Sequence, residues 1–144
     1  MERRSFIGGL VALALVPLAS AQGLRPATLY KTPQCGCCED YAGYLRDHGF
    51  KVDVIATHEL DAIKAKHRVP ELLGGCHTTL VGGYVVEGHV PVGAIQKMLA
   101  EQPRIRGISL PGMPQGSPGM TGRKEAPFRI MTFGGGESKT YWVE

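Results

Sequence analysis

From residue 27 onward the chain alternates short β-prone runs with stretches of helical periodicity. The run ATLYK, Ala27 to Lys31, leads directly into the turn TPQCGCC, and from Cys38 the apolar positions Tyr41, Tyr44 and Leu45 recur at helical spacing. The pattern predicts that this helix ends at Gly49, a residue able to take the left-handed cap, with Phe50 packing back on Leu45. KVDVIA, residues 51–56, alternates as a second strand, and Thr57 can cap a second helix whose inner face holds Leu60 and Ile63. After Pro70 and the pair Gly74-Gly75, TTLVGGYVVEG reads as two short strands joined at Gly82-Gly83. Pro91 suits the first turn of a last helix that faces Ile95, Met98 and Leu99 inward.

Composition shifts after that helix. Residues 108–122, beginning ISLPGMPQGSPGM, carry too much proline and glycine for a helix or a central strand, and are predicted as a loop. The terminal segment 127–144 reads as a β-hairpin, Phe128 to Phe133 and Lys139 to Val143, around a glycine turn. The order β-α-β-α-β-β-α, followed by this tail, is an α/β thioredoxin-like arrangement: a small mixed sheet flanked by helices, its first parallel pair joined by a crossover helix.

The first 21 residues read differently. MERR is a charged start, FIGGLVALALVPLA is apolar but short and interrupted by glycine and proline, and the small residues before Gln22 have the form of a cleavage site. Residues 1–21 are therefore expected to be a cleaved signal peptide, leaving 22–144 as one metal-binding domain with no stable membrane insertion. RRSFIG resembles a twin-arginine export signal, with ordinary secretion equally open. A formal charge of +3, with 16 basic residues scattered rather than clustered, excludes a phosphate-tracking stripe and hence nucleic acid as a partner.

Export changes the reading of the cysteines. Cys35, Cys37 and Cys38 crowd into one turn and only Cys76 lies elsewhere, so these four cannot staple distant parts of a secreted chain. Cys35 and Cys38 form a C-x-x-C at the turn between first strand and first helix, where unpaired N–H groups favour a thiolate at Cys35. That geometry serves a redox dithiol and a soft metal equally. Cys76, two residues ahead of the third strand in GGCHTTLV, tips the balance, because it offers a fourth sulfur where thioredoxin-like proteins usually place a cis-proline. Adjacent Cys37 and Cys38 can reach separate ions of a bridged cluster, and soft thiolates favour Cu(I) over hard cations, with zinc and iron–sulfur chemistry as competitors. His77 follows the fourth sulfur and is a further ligand candidate, as are the loop thioethers Met113 and Met120. His89 is read as a turn residue, His48 and His67 as residues at helix C-termini, and His58 as a neighbour of a capping position.

The C-x-C-C turn, GGCHT, VEGHVP and LPGMPQGSPGM together resemble the CopG-like periplasmic copper-resistance proteins, long catalogued as a domain of unknown function. The resemblance spans about residues 27 to 120. It implies a thioredoxin-like fold, copper bound through Cys35, Cys37, Cys38 and Cys76, and interconversion of Cu(I) and Cu(II). Copper as Cu(I), in a multinuclear cluster, is the expected metal, and another periplasmic copper-handling protein the expected partner. A thiol–disulfide oxidoreductase using Cys35 and Cys38, and a passive copper metallochaperone, are the alternative readings.

Overall fold

In the computed structural model, which describes residues 23–144, strand β1 (Arg25–Lys31) buries alternate residues Ala27, Leu29 and Lys31. The first two enter the core. Lys31, at the strand end, turns its ammonium to Glu39 at 3.3 Å and donates to the carbonyls of Thr32 and Pro33, tethering the cysteine turn. Helix α1 (Gly36–Asp47) follows, and Cys38, Tyr41, Ala42 and Leu45 form its buried stripe at the i, i+3, i+4, i+7 spacing. The expected signal peptide lies outside the described residues.

Strand β2 (Phe50–Ala56) runs parallel to β1, and helix α2 (Leu60–Lys66) and a 3₁₀ turn at Glu71–Leu73 carry the chain back across it. The hairpin of β3 (His77–Val81) and β4 (Tyr84–Glu87) turns at Gly82-Gly83, and β3 pairs antiparallel with β1. Helix α3 (Val92–Glu101) starts directly after Pro91 and buries Ala94, Ile95, Met98 and Leu99. Leu29, Leu45, Ile95, Met98, Ile108 and Ile130 are almost wholly covered in the shared core; each such side chain contributes roughly 1.5–3 kcal/mol on leaving water. The spatial order β2-β1-β3-β4 is the thioredoxin-like arrangement expected from the element order.

The sheet continues beyond that unit. Strands β5 (Gly107–Ser109), β6 (Arg129–Phe133) and β7 (Thr140–Val143) extend it to seven strands, with β5 parallel to β4 and β6 antiparallel to β5. The expected hairpin is therefore the far edge of the same sheet, and the expected loop from residue 108 opens as an interior strand. Two features of GIS explain the difference. Ile108 is fully buried, and Gly107 lets the β5 backbone close on β4: a Cβ there would collide with the Val85 carbonyl oxygen and stand 2.8 Å from Phe133 Cζ. The strand stops before Pro111, which cannot donate to a ladder. Among the described residues no helix is long and apolar enough to cross a membrane.

A paired substitution checks this packing. Gly107→Ala should destabilise the chain by more than about 3 kcal/mol in urea unfolding, because neither the carbonyl nor the ring can yield. Gly43→Ala, on α1 with open space around it, should instead stabilise by about 0.5–1 kcal/mol.

Candidate metal centre

The cysteine turn is closed by a hydrogen bond from the Cys35 N–H to the Thr32 carbonyl at 3.1 Å. Cys35 is the N-cap of α1 in an extended conformation, so Cys37 and Cys38 fall in the first helical turn. Helical geometry then sends the two neighbours different ways, Cys38 into the core and Cys37 toward the surface, where it is half-buried. Cys35 and Cys38 are joined as a disulfide, while Cys37 and Cys76 are free thiols.

Cys76 meets this turn from the segment ahead of β3. Its Sγ lies 3.7 Å from Cys37 Sγ and 3.7 Å from Cys38 Sγ, and Cys37 is 3.6 Å from Cys35. For comparison, a tetrahedral thiolate ion with bonds of about 2.3 Å sets its sulfurs about 3.8 Å apart. Three of these sulfur pairs thus have the spacing of ligands to one soft ion, and all four sulfurs lie within 4.8 Å of one another.

Two imidazoles face Cys76 from its other side. His89 Nε2 is 3.1 Å from Cys76 Sγ, and His77 Nδ1 is 3.4 Å away. The opposite nitrogen of each ring is fixed by a carbonyl, which can only accept: His77 Nε2–H donates to Gly88 O at 3.0 Å and His89 Nδ1–H to Pro118 O at 2.6 Å. Each ring is thereby held in the tautomer whose lone pair points at Cys76, the arrangement found where a histidine ligates a metal. Tyr41 packs against both, stacked on His77 at 4.6 Å between centroids and edge-on to His89 at 5.3 Å. Its hydroxyl donates to Val90 O at 2.8 Å.

Burial governs the protonation of this cluster. Loss of water, and then the neighbouring Cys37, push the Cys76 thiol up to about 12. Burial followed by the charge of His89 pulls His77 down to about 3, and burial likewise lowers His89. At neutral pH the site therefore holds a protonated thiol and two neutral imidazoles. A cation entering it would displace the thiol proton and take up the imidazole lone pairs.

The supporting shell is polar and buried. Glu87, fully buried at the end of β4, accepts from the Gly75 N–H at 2.7 Å and from the Thr78 hydroxyl at 2.8 Å, and pairs with Lys64 of α2. Burial raises its carboxyl, and the Lys64 ammonium opposes that shift. No cis peptide occurs among the described residues.

The donor atoms that converge are those of Cys35, Cys37, Cys38 and Cys76, and of Cys76, His77 and His89. His89 is the site residue that sequence reading missed: VEGHVP looks like a turn, and only the pairing of β3 with β4 brings its ring to Cys76. The proline–glycine loop reaches the site through its backbone, since Pro118 orients His89 and a Cβ at Gly119 would lie 2.6 Å from Tyr41 N. Met113 is exposed on a left-handed turn, and Met120 is half-buried with its N–H bonded to Ser117 O. His48 donates to the Tyr44 carbonyl, His67 accepts from Arg106, and His58 is exposed.

Comparison with known proteins bears on this geometry. A family model described as a protein of unknown function, DUF411, matches residues 73–120, which carry Cys76, both site histidines and the proline–glycine loop. No curated protein matches the chain. Two solved structures do, form 2 and form 1 of copper resistance protein CopG. Each is 33% identical with a TM-score of 0.77, over 83% of this chain and 98% or 97% of the solved one. At that identity, and over nearly the whole of the solved chains, the protein belongs to the family of copper resistance protein CopG.

Proposed function

We propose that this chain takes copper as its substrate, holding Cu(I) among the thiolates of Cys35, Cys37, Cys38 and Cys76 with His77 and His89 beside them, and that it serves copper tolerance in the periplasm after export. The observation that carries the reading is the position of Cys76. One sulfur stands within 3.7 Å of two turn sulfurs and within 3.4 Å of two imidazole nitrogens whose lone pairs face it. Such a set of soft sulfurs and neutral imidazoles suits copper in both oxidation states and binds hard cations poorly. Membership in a family whose solved members are copper resistance proteins points the same way. Met113 and Met120 are proposed as donors that receive or release the ion.

The Cys35–Cys38 pair supplies the redox element. Closed as a disulfide, it leaves two thiols and two imidazoles as donors; opened by two electrons and two protons from a thiol reductant, it returns two more thiols. Copper capacity therefore follows the state of that pair, and two Cu(II) ions arriving at the reduced set can take one electron each from the Cys35 and Cys38 thiols, giving two Cu(I) as the disulfide re-forms and two protons leave. The same disulfide favours a second reading, thiol–disulfide exchange with Cys35 as nucleophile and Cys38 as resolving thiol. Under it, Cys35→Ser abolishes exchange with small disulfides while Cys37→Ser and Cys76→Ser retain most of it.

Anaerobic titration of the reduced chain with Cu(I), scoring metal and free thiols together, should show more than one copper per chain with every thiol protected. Cys76→Ser should lower that stoichiometry with the circular dichroism unchanged, and an unaltered stoichiometry would remove Cys76 from the site. The pH dependence has a definite sign. The Cys76 thiol lies far above the working range, so the ion that binds at Cys76 must expel its proton and apparent Cu(I) affinity there should rise with pH. Between pH 6 and pH 8 the proton on Cys76 alone accounts for about a 100-fold gain. Competition against a chelator of known pH behaviour measures it, and Cys76→Ser should flatten the slope by one proton.

A further inference from the structure

The Lys64–Glu87 pair has no part in the copper chemistry described above, yet it touches the backbone on which that chemistry depends. Glu87 Oε1 accepts the N–H of Gly75, the residue before Cys76, and also takes the Lys64 ammonium; Oε2 accepts the Thr78 hydroxyl at 2.8 Å. Lys64 donates in turn to Thr78 Oγ1 at 3.0 Å, so the carboxylate is held from α2 and from β3 together. Glu87 is followed in sequence by Gly88, whose carbonyl fixes His77, and by His89 itself. One carboxylate thus joins the segment bearing Cys76 and His77 to the segment bearing His89.

Stability alone does not account for this arrangement. Two charges taken out of water gain little over a hydrocarbon pair of the same volume, which often does as well or better. What only an oxygen can supply here is an acceptor for the Gly75 N–H. That N–H lies outside the sheet ladder, one residue ahead of Cys76, and donates into Glu87. Without the acceptor, the Gly74–Gly75 peptide loses its anchor and can turn toward another partner, shifting Gly75 and with it the Cys76 sulfur one residue on.

We propose that Glu87, through the acceptor it offers the Gly75 N–H, is a positioning residue that sets the Cys76 sulfur among the turn sulfurs and imidazoles. The inference rests on the copper reading for its consequence, though not for its geometry. Supporting residues around a metal ligand commonly govern affinity over a range of about 10- to 100-fold.

Two double variants separate positioning from stability, since both remove both charges. Lys64→Met with Glu87→Gln keeps an amide oxygen for Gly75; Lys64→Met with Glu87→Leu does not. Two quantities are read on the reduced full chain at matched thermal midpoint: the rate of Cys76 alkylation by iodoacetamide, mapped by mass spectrometry, and Cu(I) affinity by chelator competition. The glutamine variant should match the wild type in both. The leucine variant should alkylate at Cys76 at least about 10-fold faster and bind Cu(I) about 10- to 100-fold more weakly. Wild-type values in the leucine variant, or equal losses in both variants, would overturn the proposal. Should the leucine variant fail to fold, Glu87→Asp decides in the same way, because it keeps the charge while drawing the oxygen back from Gly75 by one methylene. Absence of Cu(I) binding in the wild type would sink the copper reading alone, since the alkylation rates still report where the Cys76 sulfur sits.

Discussion

A Cβ on Gly75 would stand 2.8 Å from the Cα of Gly88, and this bare contact between two backbones is the constraint on which the rest of the site depends. It brings the segment ahead of β3 against the segment after β4 more closely than side chains would permit. Cys76 and His77 then lie within reach of His89, and the His77 ring can use the Gly88 carbonyl as its acceptor. A similar economy recurs where the proline–glycine loop meets α1, with Gly119 on the backbone of Tyr41. The three segments that frame Cys76 thus reach it by losing side chains rather than by adding them.

Close approach has an electrostatic consequence. Both imidazoles are buried and Cys76 is half-buried, and the loss of water holds each in its neutral form. The resulting cluster offers two imidazole lone pairs and a thiol with one proton to give up. A monovalent soft ion restores what burial removed, since it neutralises the thiolate and satisfies the imidazole nitrogens at once. Tyr41 and the carbonyls of Gly88 and Pro118 keep the rings from turning away while the site is empty of that charge.

Much of the fold was legible because its signals are local. Tyr41 and Leu45 repeat at helical spacing, KVDVIA alternates, Gly82-Gly83 marks a hairpin, and Pro91 opens α3; each depends on neighbours a few residues away. Strand β5 was not legible. GIS is too short to show a period, and its membership of the sheet comes from Val85 and Phe133, which flank it in space and not in sequence. The terminal hairpin was visible as a hairpin, but its place at the far edge of the sheet follows only from β5.

At the site the same division holds. Residue types and short spacings limit the chemistry before any folding is considered: three sulfurs at the start of one helix, a fourth ahead of β3, and soft-metal or dithiol reactivity as the two outcomes, because thiolate chemistry is local. Which groups belong together is set by the folded chain. His89 became a partner of Cys76, Pro118 its orienting carbonyl, and Glu87 the acceptor under Gly75, through strand pairing and backbone contact between residues 12 to 29 positions apart. No pattern along the chain encodes such a distance, since side-chain periodicity reports which face is buried and is silent about what lies across from it.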